Sequence, residues 1–281
     1  MIATQRGGAV RDAALSEPES EGPPYDWADL LARRNALGLR TEDLATVLRV
    51  DLSKYWGRES GARSAGAGLV DELIDMEGFV AEQEQLLLDT VAGAQPGETI
   101  VLRALTAAEF ASGHPQARTF RDGVSYPASL HDVAVGRAAA ELTRQGYNVE
   151  VHRGDRRADL TVRRLAVGLL KEETGILFGM TKKKYYLQET GKADPPAGLV
   201  SELQAIDDFI TATAAHLDVE EVDGVPVVLM IDDREQFELT YPQAKTRRDN
   251  RAYPLRVHRV AAGRRAGMIE RATGAARIEV R

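Results

Sequence analysis

The segment "RRNALGLRTEDLATVLRVDLSKYWGRESG", which begins at Arg33, aligns without a gap against "RRLAVGLLKEETGILFGMTKKKYYLQETG", which begins at Arg163. The register continues, because "GLVDELIDMEGFV" from Gly68 pairs with "GLVSELQAIDDFI" from Gly198, still 130 residues apart. Further along, "IVLRALTAAEFASGHPQA" from Ile100 meets "VVLMIDDREQFELTYPQA" from Val227 at an offset of 127. "YPASLHDVAVGRAA" from Tyr126 then meets "YPLRVHRVAAGRRA" from Tyr253, and one deletion of three residues reconciles the two offsets. Repetition on this scale constrains the fold more than any single motif, since both copies must be able to adopt one structure. The chain therefore reads as an arm over residues 1–26, Pro/Gly-rich and expected to be disordered. Two copies of one unit follow, roughly 27–153 and 157–281.

Within a copy, helical periodicity covers Trp27 to Ala36, Thr41 to Arg49 and Ser53 to Ser60. Thr41, followed by Glu42 and Asp43, suits a helix start, because acidic residues favour the first turn. A longer amphipathic helix follows, with Leu69, Leu73, Met76 and Val80 on one face and Glu72, Asp75 and Glu82 on the other. "GAQPGET" breaks it, "TIVLRAL" reads as a strand, "TAAEFASGHP" as a short helix or turn, and "SLHDVAVGRAAAELTRQG" as a helix ending at a Gly cap. "YNVEVHR" is the last strand. The expected fold class is α+β and α-rich, each copy being four helices followed by a small β-α-β element.

Composition narrows the chemistry. With no cysteine, disulfides, thiolate catalysis and Cys-ligated zinc are excluded. No window approaches a membrane span and the N-terminus lacks a secretory apolar core, so a cytoplasmic setting without membrane contact is expected. Net charge is −7, which at first argues against a nucleic-acid partner. The average hides an asymmetry: residues 27–153 carry more acidic than basic side chains, whereas 154–281 are near balance. Positive charge clusters at Lys182-Lys183-Lys184 and along "KTRRDNRAYPLRVHRVAAGRR" from Lys245. A local basic face matters more for phosphate attraction than the sum does.

Two short helices joined by a tight turn suggest a DNA-binding pair. Arg34, Gly38, Leu39, Leu44, Ala45, Leu48, Val50, Tyr55, Glu59 and Gly61 give the first copy a pattern that closely resembles the Cro/C1-type (phage repressor-like) helix-turn-helix family. The second copy supplies Arg164, Gly168, Leu169, Phe178, Met180, Tyr185, Glu189 and Gly191, and departs from it at Thr174 and Gly175. The resemblance divides the chain into helix-turn-helix units at 27–96 and 157–223, with β-α-β tails at 97–153 and 224–281. It implies an ion pair between Arg34 and Glu59, and between Arg164 and Glu189, tying the first helix to the end of the third. It also implies base-facing positions: Leu52, Ser53 and Gly57 with Thr41 in copy one, and Lys182, Lys183 and Leu187 with Lys171 in copy two. Lys can pair with guanine edges or hold phosphate as a point charge. Lys54, Arg58, Arg63, Lys184 and Lys192 are phosphate candidates, and Trp56 and Tyr186 are candidate surface aromatics.

A "YW-x-x-E-S-G" segment, an amphipathic helix and a β-containing tail are together similar to the anti-CRISPR-associated (Aca-type) autorepressors. In those proteins the tail makes a symmetric dimer, so the similarity implies that fusing two copies gives an intramolecular pseudo-dimer. The expected function is a transcriptional regulator of the repressor kind, reading double-stranded DNA without cofactor or metal, with a homodimer or a protein partner left open. In the tail, Tyr126, Pro127, His131, Gly136 and Arg137 are echoed by Tyr253, Pro254, His258, Gly263 and Arg264. A catalytic His needs a nucleophile or fixed carboxylate that neither copy supplies, so no enzyme is expected and the small residues point to close packing against a twin. Two other classes stay open: an antitoxin-like protein-interaction adaptor with degenerate heads, and an RNA-binding regulator that stacks bases on Trp or Tyr.

Overall fold

Helix α1 (Trp27–Ala36) starts where Asp26 and Asp29 close a capping box, each carboxylate taking a backbone N–H of the other's turn. It opens a chain described over residues 25–193 and 198–281 in a computed structural model. Residues 1–24, nearly the whole of the expected arm, lie outside the described residues. Helices α2 (Thr41–Val47), α3 (Leu52–Glu59) and α4 (Ala67–Asp89) follow. Then come β1 (Thr99–Arg103), α5 (Ala107–Gly113), α6 (Ser129–Arg144) and β2 (Asn148–Arg153). After β3 (Arg156–Arg157) the same order returns as α7 (Asp159–Ala166), α8 (Lys171–Leu177), α9 (Lys182–Glu189) and α10 (Leu199–His216). The chain ends with β4 (Val219–Val222), β5 (Val225–Met230), α11 (Arg234–Thr240), α12 (Arg256–Thr273) and β6 (Arg277–Val280). The fold is α+β and mostly helical, with two small sheets. No described helix is long and apolar enough to cross a membrane.

Each sheet is built on a parallel pair, β1 with β2 and β5 with β6, connected through two helices. The sequence reading missed the third strand of each. Strand β4 turns into β5 through Asp223 and Gly224, both at positive φ (52° and 79°), and the two strands pair antiparallel from Val222–Val225 outward. Asp-Gly between apolar residues is a strong hairpin signal, and it places the expected 223/224 boundary inside a turn. Strand β3 is two residues long and joins the first sheet beside β2 on the way into α7.

Glu72 corrects a second expectation. The periodicity of α4 puts it on the polar face, yet it is buried, and its carboxylate accepts the backbone N–H groups of Phe120 (3.2 Å) and Arg121 (3.0 Å). Glu202 does the same for Arg247 (3.1 Å) and Arg248 (2.8 Å) in the second copy. Unsatisfied buried N–H groups are costly, so this carboxylate fixes the turn ahead of α6 and α12 to the long helix.

The cores are interleaved. Ala28, Ala32 and Ala36 of α1 sit in the hydrophobic core of the second copy, against Val260, Ala261 and Ala262 of α12. Conversely, Ala158 and Val162 pack with Leu102, Val135, Ala138 and Val151 of the first. A Cβ on Gly263 would lie 2.6 Å from the Ala32 carbonyl oxygen, and one on Gly136 only 2.2 Å from that of Val162. The helix pairs α1/α12 and α7/α6 therefore touch backbone to backbone at matching glycines. Polar groups repeat the exchange: Asp29 accepts the Ile278 N–H and Asp159 accepts the Val151 N–H, both at 3.1 Å. Arg33, fully buried, bonds Glu77 (2.6 Å) and the carbonyl of Ala276 (3.0 Å), joining α1 and α4 to the far end of the chain.

Candidate nucleic-acid interface

The turn between α2 and α3 is set by Arg49 at φ 51°, and by the N–H of Val50 bonding the carbonyl of Ala45 (3.0 Å). In the second copy Gly179 takes the same place at φ 66°, and the Met180 N–H bonds Gly175 (2.7 Å). Glycine adopts that conformation without a Cβ penalty. Gly175 also lets α8 approach α9: a Cβ there would lie 3.3 Å from the Met180 carbonyl. The departure from the family pattern at Thr174-Gly175 thus leaves α8 intact, with the Thr174 hydroxyl donating to Leu170 (2.8 Å).

The two ion pairs form alike. Arg34 Nε lies 2.6 Å from Glu59 Oε1, and Arg164 Nε 2.6 Å from Glu189 Oε1. Their Nη1 groups donate to Leu39 (2.9 Å) and Leu169 (2.7 Å), so each guanidinium also holds the chain leaving the first helix. Tyr55 and Tyr185 are fully buried behind α3 and α9, whereas Trp56 (59% exposed) and Tyr186 (45%) face outward.

The expected base-facing residues divide into two groups. Leu52, Ser53, Lys54, Lys183 and Lys184 are exposed, and among the described residues none of these lysines forms an ion pair. Thr41 and Lys171 are engaged by the acid closing the third helix of each head: the Thr41 hydroxyl reaches Glu59 (3.4 Å), and Lys171 Nζ lies 3.0 Å from Glu189 while staying partly exposed beside Lys182 and Lys183. Lys171 also sits over the Tyr186 ring, 5.3 Å from its centroid. Lys182 is exposed but ion-paired with Glu172 of α8. Gly57 is covered by the side chain of Arg63, which a Cβ would approach to 3.2 Å. Leu187 is half-buried, and Lys192 is exposed beyond the end of α9.

Arg58 is corrected. Its Nη1 donates to the carbonyls of Ser64 (3.0 Å) and Ala65 (3.3 Å), so it closes the loop between α3 and α4 rather than reaching outward for phosphate. The basic stretch from Lys245 also splits. Arg256, Arg259 and Arg264 turn to Glu173 (3.2 Å), Asp232 (2.5 Å) and Asp207 (2.6 Å). Lys245, Arg247, Arg248 and Arg251 are exposed on the loop before α12. Arg248 and Arg251 bond the carbonyls of Phe178 and Ile176, both at 2.7 Å, which fastens this loop beside the turn into α9. The basic run was visible in the sequence; only the fold shows which part of it adjoins α9.

The helix caps separate the copies electrostatically. Asp51 caps α3 by accepting the N–H groups of Ser53 (3.0 Å) and Lys54 (3.2 Å). The Ser53 hydroxyl and these amides hold its carboxyl below the usual range, so a full negative charge stands at the start of α3. Thr181, a neutral cap, takes that place on α9 by accepting the Lys184 N–H (3.2 Å). Asp51 was not singled out in the sequence, although an Asp before a helix is an ordinary cap signal.

In the tails, His131 and His258 lie in matching aromatic clusters. His131 packs beside Phe110 and His114, and His258 beside Phe237 and Tyr241. His258 Nε2 accepts the Ile231 N–H (3.0 Å), which requires the neutral ring. No protein-family model, curated protein or solved structure matches this chain.

Proposed function

We propose that the chain binds duplex DNA sequence-specifically as a transcriptional regulator of the repressor kind. On this reading α1–α4 and α7–α10 are two helix-turn-helix units joined in a single-chain pseudo-dimer, working in the cytoplasm. The carrying observation is the outer face of α9, where Lys182, Lys183 and Lys184 are exposed at the start of a neutrally capped helix. Exposed Lys245 and Arg247, on the loop that Arg248 and Arg251 fasten beside the turn, add positive charge on that side. Lysines there can hold backbone phosphates and reach guanine edges in the major groove. The α3 face offers Ser53 and Lys54 beside the Asp51 carboxylate, so the two heads differ in charge and the second carries most of the affinity.

Exposed Leu52 and Trp56 favour a second reading for the first head alone, as a protein contact. Selection of the purified chain on a random duplex library, followed by salt titration of the enriched site, separates the readings. A two-part motif with half-sites about one helical turn apart and a steep salt slope is the expected result. One half-motif would make the first head a scaffold or protein contact. Weak binding without enrichment, or unchanged affinity when Lys182, Lys183 and Lys184 all become Ala, would sink the DNA reading.

A further inference from the structure

A cavity of about 300 Å³ lies at the seam of the two copies, walled by α4, α6, α10 and α12. Ala214, Ala215 and Met268 supply apolar lining, and Arg137 and Glu84 supply charge. Arg137 and Arg264 are repeat mates that meet here in different states. Arg264 bonds Asp207 (2.6 Å) and the carbonyl of Ala166 (2.9 Å). Arg137 makes the matching bond to the carbonyl of Ala36 (2.8 Å). Its carboxylate is missing, because Glu77, at the repeat position of Asp207, is drawn to Arg33. Among the described residues no carboxylate ion-pairs with Arg137, whereas Arg264 has Asp207; the Nε of each is buried without a partner.

That is an uncommon state for a guanidinium, since buried charges are ordinarily paired. Burial, with the charge of Arg264, pulls Arg137 down to about 10. Glu84 lines the same space from α4, and it, Glu77 and Asp207 act on Arg137 electrostatically from beyond ion-pair distance. Among the lining charges, Glu77 and Glu141 are held by Arg33 and Arg144, so the cavity offers Arg137 without an ion-pair partner, Glu84 beyond ion-pair reach of it, and an apolar wall. Glu77, Glu84 and Glu141 disfavour a dianion such as phosphate, and the four lining arginines disfavour a simple cation.

We propose that this cavity binds a free α-amino acid, its carboxylate on Arg137, its ammonium toward Glu84 and its side chain against Ala214, Ala215 and Met268. A planar guanidinium suits a carboxylate, and the volume is enough for a medium-sized side chain. The ligand would touch helices of both copies. The proposal stands independently of the DNA reading.

Calorimetric titration of the full chain with each proteinogenic amino acid in turn tests it. At least one is expected to bind saturably, one molecule per chain. Its carboxamide and its amine-free analogue should each bind about tenfold more weakly or worse, the scale of one lost charge-assisted contact. Glu84→Gln should weaken the amino acid while leaving the amine-free acid unchanged, and Arg137→Gln should weaken both. Met268→Trp, at the half-open rim, should block binding by filling the space, and keeps the test valid if Arg137→Gln does not fold. Absence of heat with every amino acid up to about 10 mM, a concentration that captures even weak sites, would overturn the proposal. So would binding unaffected by Glu84→Gln and Met268→Trp, or an amine-free acid that binds as tightly as the amino acid.

Discussion

Lys182 is exposed at the start of α9, yet its ammonium is held by Glu172 one helix earlier. If α9 faces phosphate, that carboxylate competes with DNA for the lysine. Glu172→Gln should then tighten binding to the selected duplex several-fold and steepen the log–log salt slope by about one, because one more cation engages phosphate. Unchanged affinity and slope in a salt titration would place Lys182 outside the interface. A second residue-scale consequence concerns His131 and His258, which burial pulls down to about 4. The unfolded chain takes up these protons near pH 6.5 and the native one only near pH 4, so stability falls as pH drops through that window. Each ring accounts for roughly 3 kcal/mol of that loss at most. Urea midpoints of the parent and of the His131→Gln, His258→Gln double variant should diverge least near pH 4 and most above pH 6.5. Parallel midpoints across the whole range would mean the rings are not the proton acceptors.

The seam between copies is made by helices meeting at glycine. In most helices Gly→Ala stabilises by up to about 1 kcal/mol, through propensity alone. In α4 a Cβ at Gly78 meets nothing within 4 Å, so Gly78→Ala should raise the midpoint of thermal unfolding slightly. In α6 a Cβ at Gly136 would meet the Val162 carbonyl, so Gly136→Ala should lower that midpoint, at a cost in stability of about 1–3 kcal/mol, the usual scale of overpacking. The same sign for both would contradict the seam geometry. These elements were largely legible in the sequence, since caps, periodicity and two aligned copies placed nearly all the helices and the parallel strand pairs. Gly136 and Gly263 read as close-packing residues because they recur beside small neighbours. What the pattern could not carry was partner choice: Ala28, Ala32 and Ala36 look alike whether α1 packs on its own copy's last helix or on the other's. Glu72 misled for a related reason. A charged side chain on a helix face reads as solvated, and only the arriving 120–121 turn shows that it is engaged.

At the scale of the whole molecule, the interleaved cores imply that neither copy can lose its structure alone. Both tryptophans, Trp27 and Trp56, belong to the first copy, and Trp27 packs against the core of the second. Trp56 is mostly exposed, so fluorescence reports chiefly on Trp27 and the second core, while circular dichroism reports on the whole chain. Leu73 of α4 is fully buried in the first copy's core, with Met76 and Val80. Leu73→Ala should cost about 2–5 kcal/mol, the usual range for truncating a buried Leu. If α1 and α7 bind the copies into one cooperative unit, the fluorescence midpoint in urea must fall by as much as the circular-dichroism midpoint, though the mutation lies in the other core. If the copies unfold independently, fluorescence stays at its parental midpoint and circular dichroism splits into two transitions. The coincident outcome would also bear on the heads. Helices that share one core have a fixed relative placement and, on the proposed DNA reading, a fixed placement would let one chain demand a defined spacing between two half-sites without a second subunit.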